Sequence, residues 1–425
     1  MHDAVVHTPS IFDVAAILIS AAAALSWINR KFLGLPSTVG LALMGAIASL
    51  IVLGVDFATP NFLIGDAIQD FMGNIDFETA LMQGMLSFLL FAGALHVDIA
   101  DLRRHWLQVG VLSTVGVVAS TLLVGFGFNI ATRLAGMEVP LIWCLVFGAL
   151  ISPTDPVAVL GAMKGSTTPR GLQATIAGES LFNDGVGVVI FSILLTMAAG
   201  GAELSATDVA GLFLTEALGG AALGLVVGFI GYQAMKAIDD YAVELLITLA
   251  LVMGGYALAQ NLHISSPVAM AVAGLLIGNQ GVAHAMSDTT RDHVIKFWGL
   301  VDEVLNAVLF LLIGLEGVVL LGTIPFLLIG LAAIPLVMLA RALSVGVPLA
   351  FWRKSVPYGK TMPVMVWGGL RGGISIALAL SLPAGETKNL LVTATYVVVL
   401  FSVLAQGSTV SRVIARAAAP PASNS

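Results

Sequence analysis

The stretch Ala177-Gly-Glu-Ser-Leu-Phe-Asn-Asp-Gly185 places two carboxylates, an amide and a hydroxyl in the middle of an apolar run that extends from Ala174 to Ala199. A carboxylate held at the centre of a bilayer costs roughly 3 kcal/mol on insertion scales, so it usually marks a path for an ion or a proton. Glu179 and Asp184 therefore predict that this segment crosses a membrane and handles charge there.

The polar side chains of this stretch fall on one side of a helix. Glu179 and Asn183 are four residues apart and share a face, and Ser180 and Asp184 form the adjacent strip. Together they offer carboxylate, amide and hydroxyl oxygens. Such hard ligands suit a monovalent cation such as Na⁺ and are poor ligands for a soft transition metal.

Composition gives the class of protein. The 425-residue chain is 58% hydrophobic and only 10% charged, whereas soluble domains carry about 25% charged residues. We therefore predict an all-α polytopic membrane protein surrounded by the lipid bilayer. No Gly-x-x-x-x-Gly-Lys-Ser/Thr loop for nucleotide phosphates occurs in the sequence, and we expect neither a cofactor nor a nucleic-acid partner.

Long apolar runs follow one another along the whole chain. Each membrane span requires about 20 mostly apolar residues, and we count about thirteen such runs. Their approximate limits are 11–29, 36–54, 79–98, 106–132, 139–162, 170–199, 208–235, 241–261, 265–280, 298–321, 323–351, 361–383 and 388–411.

Basic residues indicate how these spans are oriented. Alternate loops carry fourteen Lys and Arg residues, whereas the intervening loops carry only Arg133 and Lys388. Because cytoplasmic loops are enriched in Lys and Arg, this pattern places the N-terminus outside and the C-terminus in the cytoplasm. We expect a multi-pass protein of the cell (inner) membrane. The fourteen residues are Arg30, Lys31, Arg103, Arg104, Lys164, Arg170, Lys236, Arg291, Lys296, Arg353, Lys354, Lys360, Arg412 and Arg416.

The span at 139–162 contains a sequence that breaks helices. In Ile151-Ser-Pro-Thr-Asp-Pro-Val157, two prolines flank Thr-Asp and remove backbone donors. Broken backbone is tolerated in a membrane only where it is buried in protein or lines a cavity. The break exposes the partly positive N-terminus of a half-helix, which Asp155 is placed to compensate.

The span at 361–383 contains a second such sequence. Four glycines surround one arginine in Trp367-Gly-Gly-Leu-Arg-Gly-Gly-Ile374, which predicts another interrupted helix. Arg371 is the one basic residue that we expect deep in the membrane. Because a lone buried cation needs a carboxylate, we predict a structural ion pair between Arg371 and Glu179 that leaves Asp184 free.

The two predicted breaks occupy corresponding places in the chain. Each lies in the second span of a triplet, at 106–199 or at 323–411, and the triplets begin on opposite sides of the membrane. This arrangement is typical of transporters built from inverted repeats, whose binding site lies near the midplane. We therefore predict two interrupted helices that cross near the midplane.

These motifs resemble those of a known group of transporters. The chain is similar to the monovalent cation:proton antiporter superfamily, in its Na⁺/H⁺ exchanger branch, and its short tail resembles the prokaryotic members. The resemblance is carried by Ser152-Pro-Thr-Asp-Pro-Val157, Gly178-Glu-Ser-Leu-Phe-Asn-Asp-Gly185 and Gly368-Gly-Leu-Arg-Gly-Gly373.

The resemblance implies a homodimer in which each protomer has a dimerisation scaffold and a moving core. The scaffold would consist of helices one to three at 1–98 and seven to ten at 208–321. The core would consist of helices four to six at 106–199 and eleven to thirteen at 323–411, with broken helices at 139–162 and 361–383. A cytoplasmic tail would follow at 412–425.

The resemblance also implies a site for the exchanged ion. Na⁺ would lie on Asp184, Asp155, Ser180, Glu179 and the backbone carbonyl of Thr154, and the ion-binding group would also include Asn183. The pair Asn183-Asp184, in place of two aspartates, resembles the branch that exchanges one proton for each cation without net charge. Na⁺ or Li⁺ would compete with a proton for Asp184, and the core would move once that carboxylate is neutralised.

Three other functions are compatible with the residues. The same fold can exchange K⁺ for H⁺, because cavity size and hydration decide between the cations. Asp155 and Asp184 can also be read as the acid/base pair of an intramembrane hydrolase, although that reading leaves Glu179 and Arg371 without a role. A channel with an acidic ring is the third, and obligatory coupling to protons would exclude it.

Overall fold

A computed structural model describes residues 11–58, 85–163, 170–200, 206–282, 285–316, 324–352 and 358–418. The regular secondary structure of these residues is entirely helical. The predicted basic positions Lys164, Arg353 and Lys354 lie outside the described residues, as does the beginning of the predicted span at 79–98.

The first half of the chain forms nine described α-helices before residue 200. They are α1 (Ile11–Ile28), α2 (Ser37–Ala58), α3 (Leu86–Leu95), α4 (Ile99–Arg104), α5 (Trp106–Ser113), α6 (Val115–Leu134), α7 (Leu141–Ile151), α8 (Val157–Met163) and α9 (Arg170–Ala198).

The second half continues in the same way. Its described helices are α10 (Ala206–Lys236), α11 (Tyr241–Asn261), α12 (Ser266–Leu276), α13 (Asp288–Glu316), α14 (Ile324–Phe351), α15 (Tyr358–Trp367), α16 (Gly373–Leu380), α17 (Glu386–Phe401) and α18 (Ser408–Ala418). A π-helical turn, Ser402–Gly407, joins α17 to α18. Helix α18 therefore extends into the segment that we predicted as a tail.

Length and composition confirm an all-α polytopic membrane protein. Among the described residues, seven helical stretches are long and apolar enough to cross a membrane, and shorter apolar helices such as Leu86–Leu95 and Leu141–Ile151 accompany them. The count of thirteen spans stays a prediction. The long stretches are Ala15–Leu33, Trp106–Leu134, Gly171–Ala198, Thr207–Lys236, Tyr241–Asn261, Ile324–Phe351 and Glu386–Ala417.

Glycines allow the helices to pack closely, as is usual in lipid. A Cβ atom added to Gly148 of α7 would lie 2.3 Å from the carbonyl oxygen of Thr121 in α6. A Cβ on Gly224 of α10 would lie equally close, at 2.3 Å, to the carbonyl oxygen of Ala269 in α12. The backbones of these helix pairs are therefore in direct contact.

Both predicted helix breaks are present, and they meet. Helix α7 ends at Ile151 and α8 begins at Val157, while α15 ends at Trp367 and α16 begins at Gly373. Between the breaks, the backbone N–H of Asp155 donates a hydrogen bond to the carbonyl oxygen of Leu370 over 2.8 Å, in an antiparallel bridge. The interrupted helices thus cross backbone to backbone.

Candidate functional site

Asp155 lies at the crossing point of the two breaks. One carboxylate oxygen, Oδ1, accepts a hydrogen bond from the backbone N–H of Val157 over 2.8 Å, at the first residue of α8. The side chain therefore compensates the N-terminus of the half-helix, as the sequence predicted. Its own backbone N–H is held by Leu370, so both the position and the orientation of Asp155 depend on the second break.

The polar stripe of α9 holds the residue before Asp155. Asn183 Nδ2 donates to Thr154 Oγ1 over 2.8 Å, and Asn183 Oδ1 accepts from the Thr154 backbone N–H over 3.3 Å. The Ser180 hydroxyl lies 3.1 Å from the Thr154 hydroxyl. These three side chains are 3% exposed or less. Their hydrogen bonds fix the unwound backbone against α9.

Asp184 completes this group and differs from its neighbours in one respect. Its side chain is buried, and its Oδ1 atom has no hydrogen-bond partner among the residues that the structure describes. Asp184 is also near enough to Asp155 for the two carboxylates to repel each other when charged. A buried carboxylate oxygen without a partner is costly in its charged form, and the described residues supply no hydrogen bond that compensates Oδ1.

The ion-pair partner of Glu179 is Arg341, so the predicted pair between Glu179 and Arg371 is wrong. Arg341 of α14 donates to Glu179 from two nitrogens, from Nη1 to Oε1 and, over 3.1 Å, from Nη2 to Oε2. Arg341 Nη2 also donates to the carbonyl oxygen of Met365 over 3.1 Å. This two-pronged geometry is the strong arrangement for an arginine and a carboxylate.

Arg371 binds backbone carbonyls. Its Nη1 donates to the carbonyl oxygen of Ser152 and, over 3.0 Å, to that of Pro153. These groups follow the last residue of α7, where carbonyls lack helical partners and carry partial negative charge. The buried guanidinium of Arg371 therefore compensates the end of one half-helix, while Asp155 compensates the start of the next.

Sequence comparison identifies the family. A match to the family described as "sodium/hydrogen exchanger, transmembrane" extends over residues 17–416. The chain belongs to this family. The exchanger is therefore a transporter rather than an enzyme.

Individual relatives agree with this assignment. The exchanger is 45% identical over 411 residues to the Na⁺/H⁺ antiporter NhaP of Pseudomonas aeruginosa, covering 95% of this chain and 96% of that protein. It is 34% identical over 394 residues to the Na⁺/H⁺ antiporter NhaH of Halobacillus dabanensis, covering 90% and 92% of the two chains.

A solved structure shares the fold. The sodium proton antiporter MjNhaP1 of Methanocaldococcus jannaschii superposes on the exchanger with a TM-score of 0.75, over 96% of this chain and 99% of that one. The sequence identity is 22%, so this similarity concerns the fold alone.

Glycines of the second break make room for the charged groups of the exchanger. A Cβ atom at Gly369 would lie 2.4 Å from Arg341 Nε, and one at Gly372 would lie 2.8 Å from Asp155 Oδ2. Any side chain at either position would displace a charged group of the site. The glycine-rich sequence around Arg371 is therefore required by the side chains that approach it from α14 and from the first break.

A small cavity adjoins the crossing point of the exchanger. It has a volume of about 10 Å³, which is room for about one water molecule. Asp155 and Arg371 line it together with Thr38 of α2 and Phe310 of α13. The cavity thus lies where the broken helices face α2 and α13.

Arg341 is the site residue that sequence reasoning missed. It lies within the predicted span 323–351, in the run Leu339-Ala-Arg-Ala-Leu343, and is only 7% exposed. The signal was available, because a charge in the middle of an apolar run had already singled out Glu179. The other predicted residues of the site lie at or next to the first break, and their role as cation ligands stays a prediction: Thr154, Asp155, Ser180, Asn183 and Asp184.

Proposed function

We propose that the protein exchanges Na⁺ or Li⁺ for H⁺ across the membrane, with the cation and the proton competing for Asp184. The observation that carries this proposal is the unpartnered Oδ1 atom of this buried carboxylate. The other charged core groups at the crossing, Asp155, Glu179, Arg341 and Arg371, each have a hydrogen-bond partner among the described residues. Asp184 therefore has an oxygen available for an exchangeable ligand.

The proposed cation ligands are Asp184, Asp155, the Ser180 hydroxyl and the backbone carbonyl of Thr154. All are hard oxygen donors, as a Na⁺ ion prefers. Glu179 was expected among the ligands as well. Since Arg341 occupies both of its carboxylate oxygens, we assign Glu179 to charge balance instead.

The buried charges support exchange without net charge transfer. Among the described residues of the core spans, three carboxylates (Asp155, Glu179 and Asp184) and two guanidinium groups (Arg341 and Arg371) surround the crossing, so this set has a net charge of −1. Asp302, which also repels Asp155, lies on α13 in the scaffold and does not move with the core. One Na⁺ or one proton makes the group neutral. Since a charged core is costly to move through a low-dielectric region, we infer that the core moves with either ligand and that the exchange is one for one.

Movement of the core would give alternating access. In this proposal the spans at 106–199 and 323–411 move as a rigid body against the spans at 1–98 and 208–321, which dimerise. The small cavity between Asp155 and α2 and α13 lies where the two groups of helices face each other. We place the protein in the cell (inner) membrane as a homodimer, with the N-terminus outside and the C-terminus in the cytoplasm.

Transport by the purified protein tests the proposal. In proteoliposomes with an imposed pH gradient, addition of Na⁺ or Li⁺ should dissipate the gradient, and clamping the membrane potential should leave the rate unchanged. Activity with K⁺ alone would instead indicate the alternative K⁺/H⁺ exchange. Failure of all three cations would refute antiport.

Two variants test the assignment of Asp184. Asp184→Asn should abolish exchange while the protein remains folded, because the amide can neither release a proton nor neutralise a cation. Asp292→Asn, at an exposed carboxylate that contacts only Lys296 among the described residues, is the matched control and should exchange normally. Exchange retained by Asp184→Asn would assign the ion to another carboxylate.

A further inference from the structure

One peptide group at the second break is hydrogen-bonded on both sides. The carbonyl oxygen of Leu370 accepts from the Asp155 backbone N–H over 2.8 Å, and the N–H of Arg371 donates to Ser402 Oγ over 2.8 Å. The carbonyl of Leu370 and the N–H of Arg371 belong to the same planar peptide group. Ser402 therefore sets the orientation of the carbonyl that holds Asp155.

Gln406 extends this connection. The Ser402 hydroxyl donates to Gln406 Oε1 over 2.7 Å, and Gln406 Nε2 donates to the carbonyl oxygen of Trp367 over 3.0 Å. Ser402 and Gln406 are 1% and 2% exposed. Trp367 is the last residue of α15, so the Gln406 amide satisfies a carbonyl that the broken helix leaves without a partner.

The hydrogen bonds of this series all run in the same donor-to-acceptor direction. The order runs from the Asp155 N–H through the Leu370–Arg371 peptide to the Ser402 hydroxyl, then to the Gln406 amide and finally to Trp367. Hydrogen bonds aligned head to tail polarise and strengthen one another in a low-dielectric interior. The loss of one link therefore weakens the others, including the one at Asp155.

Local backbone geometry marks the same place. Ser402 and Gln406 lie in the π-helical turn between α17 and α18, a departure from regular helix that is frequent at functional sites. A second tie between the same segments, from Trp367 Nε1 to Thr409 Oγ1 over 2.9 Å, bypasses the Leu370–Arg371 peptide. It joins α15 to α18 without reaching Asp155.

We propose that Ser402 and Gln406 are positioning residues for the cation site. They hold the Leu370–Arg371 peptide, and through it the Asp155 backbone and the Arg371 guanidinium that binds the Ser152 and Pro153 carbonyls. The inference rests on the proposed function in that it takes Asp155 as a cation ligand. We call this set of hydrogen bonds, from Asp155 through the Leu370–Arg371 peptide, Ser402 and Gln406 to Trp367, the clamp. Its existence does not depend on the proposed function.

Hydrogen exchange tests the clamp without reference to transport. In Ser402→Ala and Gln406→Leu proteins, the amides of the segments 152–157 and 368–373 should exchange at least several-fold faster than in the wild type. The control Thr409→Val, which removes the parallel tie, should leave both segments protected. Unchanged amide hydrogen exchange in the Ser402 and Gln406 variants would overturn the proposal even if the protein transports Na⁺.

Transport kinetics test the consequence for the ion. We expect the Na⁺ concentration for half-maximal exchange to rise about tenfold in Ser402→Ala and Gln406→Leu, as follows when one buried hydrogen bond to the site is lost. Ser402→Thr keeps the hydroxyl and should restore the wild-type value, and Thr409→Val should not change it. An equal rise of the half-maximal Na⁺ concentration in Thr409→Val would show that Ser402 and Gln406 have no specific positioning role. An inactive wild type would refute the proposed function, while hydrogen exchange would still decide the clamp.

Discussion

The pair between Glu179 and Arg341 makes the most direct prediction about stability. Arg341→Gln leaves the Glu179 carboxylate, which is 1% exposed, without the two nitrogens that bind it. Removal of one partner from a buried ion pair destabilises a protein by about 3–5 kcal/mol, because the remaining charge is buried without compensation. Glu179→Gln should cost a similar amount, since Arg341 is then left with Met365 alone.

The double variant Glu179→Gln/Arg341→Gln removes both charges and should be less destabilised than the sum of the two single variants. We expect a coupling energy of about 2–3 kcal/mol between these positions. For Glu179→Gln combined with Arg371→Gln, the coupling should stay below about 1 kcal/mol, because Arg371 binds the Ser152 and Pro153 carbonyls.

The assay is unfolding of the purified protein by SDS in mixed micelles, followed by tryptophan fluorescence. Both cycles are measured under identical conditions, so that differences in the unfolded state cancel between them. Additive effects of Glu179 and Arg341, or a larger coupling between Glu179 and Arg371, would refute the pairing seen in the structure.

The same variants test the charge balance. Arg341→Gln changes the net charge of the five core groups from −1 to −2, so one monovalent ligand no longer neutralises them. Exchange should be lost or should become sensitive to the membrane potential. The double variant restores −1 and should again exchange without response to a potential clamp. If Arg341→Gln alone still exchanges at a rate that does not depend on the membrane potential, the proposed charge balance is wrong.

Three further predictions concern other parts of the molecule. Gly372→Ala places a methyl group 2.8 Å from the Asp155 carboxylate. It should lower the free energy of unfolding by about 1–3 kcal/mol and remove most of the transport rate in proteoliposomes. Gly161→Ala, where a Cβ has open space, is the control and should change neither. Thr154→Val keeps the shape of the side chain but removes the acceptor for Asn183, so the apparent Na⁺ affinity in proteoliposomes should fall about tenfold; an unchanged affinity would count against this network. Thr248→Val removes the acceptor for the buried Trp298 Nε1 and should lower stability by about 1–3 kcal/mol in unfolding experiments. Na⁺ affinity should not change, because Trp298 packs in a hydrophobic cluster separate from the one that contains the broken helices α7 and α16.

Local sequence was sufficient to predict several features of the site. Pro153 and Pro156 flank Thr-Asp, and the helix is broken there because proline lacks a backbone donor. The spacing of Glu179, Ser180, Asn183 and Asp184 placed them on one side of α9, since the helical period is a property of the segment itself. These predictions required no knowledge of neighbouring helices.

The partners of the charged groups were not predictable in the same way. Glu179 and Arg341 are 162 residues apart in sequence, and either Arg341 or Arg371 satisfies the rule that a buried carboxylate needs a cation. The choice depends on which helix faces α9 and on the space that Gly369 leaves beside Arg341. Packing geometry decided this pairing.

The sequence by itself determined that the chain is a helical membrane protein, that two spans are interrupted and that Asp184 lies in an apolar segment. Composition, proline placement and helical period act over a few residues, so they can be read locally. Only the tertiary structure decided that Arg341 neutralises Glu179, that Arg371 binds the end of α7 and that Ser402 reaches Asp155 through the Leu370–Arg371 peptide. Compensation of buried charge is a long-range requirement, and helix packing selects which of the available groups meets it.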